Sequence, residues 1–241
     1  MKSGNKKGIL LLVFISIILC VACLIEYALL SSSWEQNRKL RSGQMQAENS
    51  RKTTAAKKKQ ELAGDGVKAH GKLSVKGINL TDKNGDKVQL RGMSSHGLLW
   101  YPEYTNYASI YETKKHGANM FRIAMYSDDG NGDGGYIQNP ELSWKLMQAA
   151  IENTLAADMY AVVDWHVLRE QNPLHNVEKA KEFFSKVSAL YGDEAGVIYE
   201  ICNEPNGDTT WEDIVEYASQ VIPAIRENAS DAVILVGTPD Y

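Results

Sequence analysis

Between residues 88 and 237 the chain alternates between two patterns. Short apolar, β-branched runs at 88–93, 119–126, 159–166, 197–203 and 233–237 are separated by longer stretches, as at 141–156, 176–191 and 210–228, whose apolar residues return every three or four positions. In the last stretch Ile214, Tyr217, Ala218, Val221, Ile222 and Ile225 fall on one side, the spacing of an amphipathic helix. The short runs are almost continuously apolar instead of alternating, which predicts a parallel sheet covered on both faces. Strict βα alternation predicts an α/β protein, either an eight-unit barrel or an open doubly wound sheet. Ahead of these units, 67–92 reads as strand, turn, strand. Leu73, Val75, Ile78 and Leu80 precede the turn signal Asp82-Lys83-Asn84-Gly85, and Val88-Gln89-Leu90 come after it.

The strand ends choose between barrel and open sheet. Ser94-Ser95-His96, Arg122 to Tyr126, Asp164-Trp165-His166 and Asn203-Glu204 all close strands with polar or aromatic groups, and no Gly-rich dinucleotide fingerprint follows any strand. A site spread over many strand ends is how a (β/α)8 barrel is used. The predicted fold is a TIM (β/α)8 barrel represented by about five of its eight units across residues 67–241.

Composition narrows the function. The 241 residues are 44% apolar and 23% charged, which excludes a wholly disordered or multi-span membrane chain. Residues 1–68 hold 12 basic against 5 acidic side chains (net +7), and the remainder 14 against 25 (net −11). An acidic body is a poor polyanion binder, so nucleic acid is not an expected partner. Three cysteines, with Cys20 and Cys23 in one apolar run and Cys202 alone, make neither a disulfide framework nor a zinc cluster.

Lys2, Lys6 and Lys7 precede an apolar stretch at 9–25 that is broken only by Ser16 and ends at Glu26. Basic residues before a hydrophobic run keep the N-terminus cytoplasmic and send the downstream chain across the membrane. The length fits both a retained anchor and a cleaved signal, and a lipid anchor on Cys23 is a third option. Residues 1–30 therefore read as signal or membrane anchor, and 31–66, polar and rich in Lys, Gln, Ala and Ser, as a tether. The folded body is expected outside the cytoplasm, secreted or held on the outer face of the cytoplasmic membrane.

In Ile198-Tyr199-Glu200-Ile201-Cys202-Asn203-Glu204-Pro205 a buried strand ends in an amide, then a carboxyl, then a proline that stops the ladder. Asn203 could hold a ring hydroxyl while Glu204 passes a proton to a leaving oxygen; the plainer reading is that Glu204 caps the following loop. On the strand before, Asp164 and His166 share one face and Trp165 the other. His166 is either a group that meets sugar and catalytic carboxyls or a satisfied core histidine. Arg122, inside an apolar strand, needs a carboxylate partner. That partner is either a nucleophile with a lowered pKa or one half of a structural ion pair. His96, Trp100, Tyr101 and Tyr126 supply flat rings with polar tips beside a Gly- and Pro-containing loop, which favours a sugar-stacking groove over core packing. A metal site made of His96, Asp164, His166 and Glu204 lacks any paired-His spacing. The Asp129-Gly130-Asn131-Gly132-Asp133-Gly134 run imitates a calcium loop, but Pro140 stands at its closing position with Glu141 one residue late.

Taken together, five segments resemble glycoside hydrolase family 5, in particular its secreted bacterial endoglucanases (cellulases). They are Arg91-Gly92-Met93-Ser94-Ser95-His96-Gly97, Phe121-Arg122-Ile123-Ala124-Met125-Tyr126, Val163-Asp164-Trp165-His166, Glu200-Ile201-Cys202-Asn203-Glu204-Pro205-Asn206-Gly207 and Val236-Gly237-Thr238-Pro239. The resemblance implies a retaining TIM-barrel enzyme, monomeric and without metal or cofactor, acting on β-glucan polysaccharide. By the same resemblance Glu204 is the proton donor and base, Asn203 the residue at the sugar 2-hydroxyl, Arg122 and His166 the polar frame, and His96, Trp100, Tyr101 and Tyr126 glucan contacts. The family's nucleophilic Glu ends the seventh strand and a His/Tyr pair follows the sixth. At about 35 residues per unit, eight units need roughly 280 residues, so the nucleophile is expected to lie beyond Tyr241 and the chain as it stands to be inactive. The expected activity of the whole is endo-β-1,4-glucanase; another β-glycanase, such as a mannanase, and an inactive glycan-binding form are the alternatives.

Overall fold

The structure is a computed structural model and describes residues 64–128 and 134–239. The N-terminal anchor or signal, the tether up to residue 63 and the acidic-Gly run 129–133 lie outside the described residues. Among the described residues no helix is long and apolar enough to cross a membrane.

The chain opens with a one-turn helix α1 (Val67–His70) and a hairpin of β1 (Ser74–Lys76) and β2 (Asn79–Thr81). Strands β3 (Gly92–Ser94), β4 (Met120–Tyr126), β5 (Tyr160–His166), β6 (Val197–Glu200) and β7 (Ile234–Leu235) come next. Between them lie helices α2 (Tyr107–Lys115), α3 (Pro140–Ala156), α4 (Val177–Tyr191) and α5 (Trp211–Arg226). The strands β3 to β7 form one sheet in chain order, every neighbour parallel. All five C-terminal ends therefore lie at one edge.

Local chemistry sets the helix starts. Asn106 caps α2 by accepting the Ser109 N–H at 3.0 Å. At α5, Thr210 and Asp213 cap each other: the Thr210 hydroxyl accepts the Asp213 N–H, and the Asp213 carboxylate accepts the Thr210 N–H. Capping of this kind stabilises a helix by ~1 kcal/mol. Proline at the first turn starts α3 without wasting a donor.

One apolar core joins Phe121, Ile123 and Met125 of β4, Ala161, Val163 and Trp165 of β5 and Tyr199 of β6 to all four long helices, through residues such as Ile110, Met147, Phe183 and Tyr217. Side chains as large as Trp165 and Phe183, both fully buried, contribute on the order of 1.5–3 kcal/mol each. The other sheet face carries a smaller cluster, Tyr160, Val162, Ile198 and Val233, covered by Leu73 next to the hairpin. Among the described residues no long helix contributes to it. Helices on one face only exclude the doubly wound sheet, and the sheet is five consecutive strands of a (β/α)8 barrel wall. The runs read as apolar throughout because the inner face is also apolar at its lower end, not because helices cover both faces.

Two boundaries differ from the sequence reading. Residues 67–92 do not make a single strand-turn-strand unit: α1 comes first, and Gly77, with φ of +62°, turns the chain between β1 and β2. The Asp82–Gly85 turn is present, with Asp82 Oδ1 accepting the Asn84 and Asp86 N–H groups, but it closes only a single bridge between Thr81 and Lys87. The run at 88–93 joins the ladder only from Gly92. Before that, the Asn119 side chain stands in for a neighbouring strand, accepting the Arg91 N–H at 2.8 Å and donating to the Gln89 carbonyl at 3.0 Å.

Beneath the sheet, His70 lies between two carboxylates, Nδ1 3.1 Å from Asp82 and Nε2 3.0 Å from Asp65. Hydrogen bonds to Asp65 first and Asp82 second raise the imidazole above 6.5. The clamp's stabilisation is therefore complete below the unfolded value and is lost as pH rises through the raised folded value. Thermal melts of wild type and His70→Gln should accordingly converge on going from pH 6 to alkaline pH. A gap that stays constant with pH would show that His70 is not a charged clamp.

Candidate active site

The inner face changes character along the strands. On that face Arg122 of β4 stands level with Val162, and beyond Val162 and Ile198 come Asp164 and His166 on β5 and Glu200 on β6. The ladder pairs Asp164 with Glu200 and Tyr126 with His166, so side chains that point inward from adjacent strands share a level.

Arg122 is the hub. Its Nε and Nη2 donate to the two Glu200 oxygens at 2.7 Å each, a bidentate pair. Nη2 also donates to Asn203 Oδ1 at 2.7 Å and lies 3.0 Å from Asp164 Oδ2. Asp164 Oδ2 is 2.6 Å from His166 Nδ1, and Asn203 Nδ2 reaches back to His166 Nε2 at 3.2 Å. The result is a closed ring of four side chains from β4, β5 and the residues after β6. Burial pushes the Asp164 carboxyl up to about 6 against the pull of His166 and Arg122.

Glu204 comes directly after Asn203. Its N–H donates to the Val167 carbonyl at 3.2 Å, so it stands across from the end of β5. Its half-buried carboxylate is close enough to act electrostatically on Arg122 and on the Tyr126 hydroxyl. Burial, with the Asp164 and Glu204 charges, raises the Tyr126 pKa and keeps the phenol protonated. Pro205 ends the segment, as its missing N–H requires.

The aromatic candidates form one continuous group beside this ring. Tyr126 lies 4.2 Å from His166, 4.7 Å from Trp100 and 6.0 Å from His96, between ring centres, and His96 lies 5.4 Å from Tyr101. Trp100 and Tyr101 are solvent-facing while Tyr126 is nearly covered. Gly97 makes this fit possible: a Cβ there would lie 2.5 Å from the Trp100 ring. The Gly97 N–H donates to His96 Nδ1 at 2.7 Å.

All eight site residues expected from the sequence thus come to one edge of the sheet. Trp165 faces the helices, against Tyr136 and Phe183, as its alternation with Asp164 and His166 predicts. Three participants are not evident in these roles from the sequence. Glu200 is the main partner of Arg122; a lone acid in the apolar run Val197-Ile198-Tyr199 points to a buried cation. Asp164 is legible in the sequence as a strand-end group, as part of the Val163–His166 segment and as a candidate metal ligand, but not as the partner of His166 and Arg122. Tyr104 extends the aromatic strip, 6.3 Å from Tyr101 and well exposed. Among the described residues no group of three His, Cys, Asp or Glu is arranged to hold a metal ion.

Residues 81–241 match the family Cellulase (glycosyl hydrolase family 5). The chain belongs to that family. It is 45% identical over 173 residues to an endoglucanase of Clostridium saccharobutylicum, covering 71% of this chain and 38% of the relative. It is 44% identical over 180 residues to endoglucanase A of Butyrivibrio fibrisolvens, covering 73% and 41%. The crystal structure of the catalytic domain of Thermobifida fusca endoglucanase Cel5A superposes with a TM-score of 0.70 at 37% identity, over 74% of this chain and 57% of that one. The chain spans about two fifths of the length of the curated relatives it matches.

The ring's energetics can be tested. Replacing Arg122 by Met leaves Asp164 and Glu200 buried without a counter-charge, a loss of about 3–5 kcal/mol for a broken buried ion pair. Urea denaturation should show a loss of that order for Arg122→Met. A change below about 1 kcal/mol would mean that Glu200 and Asp164 do not depend on the guanidinium.

Proposed function

We propose that these five βα units supply the acid/base half of a retaining endo-β-1,4-glucanase site. The observation that carries this reading is Glu204 beside an amide fixed on both sides by Arg122 and His166, at the strand edge that also presents Trp100, Tyr101 and Tyr126. Relatives at 44–45% identity are endoglucanases, and a variant of the Thermobifida fusca enzyme has been solved in complex with cellotetraose. A pyranose stacked on the strip places its glycosidic oxygen towards Glu204. Glu204 then protonates the leaving oxygen while a second carboxylate attacks the anomeric carbon, and in the second step takes a proton from the water that releases the sugar. Asn203 meets the 2-hydroxyl, and Arg122 and His166 hold it there. The basic-then-apolar N-terminus supports placing this activity outside the cytoplasm, where the polymer is.

The second carboxylate is not offered by the described inner face, where Asp164 and Glu200 are both held on Arg122. By the family pattern it ends a seventh strand, roughly 5–5.5 Å from the acid in a retaining enzyme. The five described parallel strands are therefore expected to bind cello-oligosaccharides without cleaving them.

Two measurements test the reading. With all eight units present, reducing-sugar release is expected from carboxymethylcellulose and lichenan and not from mannan or xylan; release from mannan alone would make the enzyme a mannanase. In the same form, Glu204→Gln should lower kcat on cello-oligosaccharides by about 10²–10⁴-fold and affect aryl glycosides with good leaving groups far less. Equal loss on both substrates would remove Glu204 from the proton-donor role.

A further inference from the structure

We propose that Asp164 is a positioning residue that fixes the tautomer of His166 and, through it, the orientation of the Asn203 amide. The catalytic meaning of this rests on the glucanase reading, but the hydrogen bonds that show it do not. The Arg122 guanidinium can only donate. Because Nη2 lies 2.7 Å from Asn203 Oδ1, the amide oxygen must face Arg122 and the NH2 must face the other way. That NH2 points at His166 Nε2, 3.2 Å away, and at the Val167 carbonyl, 3.3 Å away. An NH2 group only donates, so Nε2 carries no proton. The proton of the neutral ring is therefore on Nδ1, donated to Asp164 Oδ2 at 2.6 Å.

Asp164 is costly to keep. It is fully buried, and its Oδ1 has no hydrogen-bond partner among the described residues. Charge balance for Arg122 does not require it, since Glu200 already pairs with the guanidinium through both oxygens. What Asp164 alone supplies is an acceptor for His166 Nδ1–H. Without it the ring is free to take the Nε2–H form or a second proton, and either sets a donor against the Asn203 NH2. The amide then turns, its oxygen leaves Arg122, and Glu204, the next residue, loses its fixed neighbour.

The test is nitrogen-15 NMR of the imidazoles in this chain, whose five histidines are His70, His96, His116, His166 and His175. At neutral pH wild-type His166 is expected as the Nδ1–H tautomer with an unprotonated Nε2. Asp164→Ala should move it to the Nε2–H form or to the doubly protonated ring. Asp164→Asn, which can still present a carbonyl oxygen to Nδ1–H, should restore the wild-type pattern. A residue that only fills space would leave the tautomer unchanged in both variants. The proposal is overturned if wild-type His166 is Nε2–H or doubly protonated, or if Asp164→Ala keeps the wild-type tautomer. The wild-type reading decides even if Asp164→Ala fails to fold. Titrating the same wild-type sample with cellotetraose separates the two ideas, because absence of binding counts against the glucanase reading while the tautomer alone decides the role of Asp164.

Discussion

A guanidinium in the wall of a parallel barrel dictates most of what surrounds Arg122. Its side chain keeps 19% of its exposure, and a charge so placed is tolerable only where every donor meets an acceptor. Glu200, one strand beyond β5, accepts from Nε and Nη2, Asn203 accepts from Nη2 as well, Ser94 Oγ accepts from Nη1 at 3.4 Å, and the Asp164 carboxylate adds a second negative charge 3.0 Å from Nη2. Those partners come from other strand ends that are far apart in the chain and adjacent only because the strands run parallel in order. The same contacts that make the buried cation acceptable fix the amide next to Glu204. Stability and site geometry are here one network.

The inner face can be described as a gradient. At the N-terminal ends of the strands it is apolar, closed by Leu73 and its neighbours; two residues further along β4, β5 and β6 it is charged, and at the rim it becomes aromatic and polar. Such a gradient places desolvated charges close to solvent but not in it, which strengthens their interactions without isolating them. The aromatic strip at the rim continues the gradient outward, from Tyr126, nearly covered, to Tyr104, mostly exposed.

Much of this is legible in the residues. The helical stretches 141–156, 176–191 and 210–228 each agree with the structure to within two residues at either end, because apolar spacing and caps act locally. The strand-end groups can be found because a barrel uses only one edge of its sheet. Features that depend on a distant partner are not legible in this way. Glu200 reads as one acid in a strand until Arg122, 78 positions earlier, is set opposite it. The shortened β3 results from an Asn119 side chain that imitates a strand, and Gly77 divides a run that hydrophobicity alone would have kept whole.

On the proposed function, Glu204 and the aromatic strip face one sugar chain. A crystal structure of this chain with cellotetraose tests it most directly. The expected result is a glucosyl ring against Trp100 and Tyr126, with a glycosidic oxygen within hydrogen-bond distance of the Glu204 carboxyl. Sugar bound at the opposite end of the strands, or seated on the strip with Glu204 turned away from every glycosidic oxygen, would contradict it.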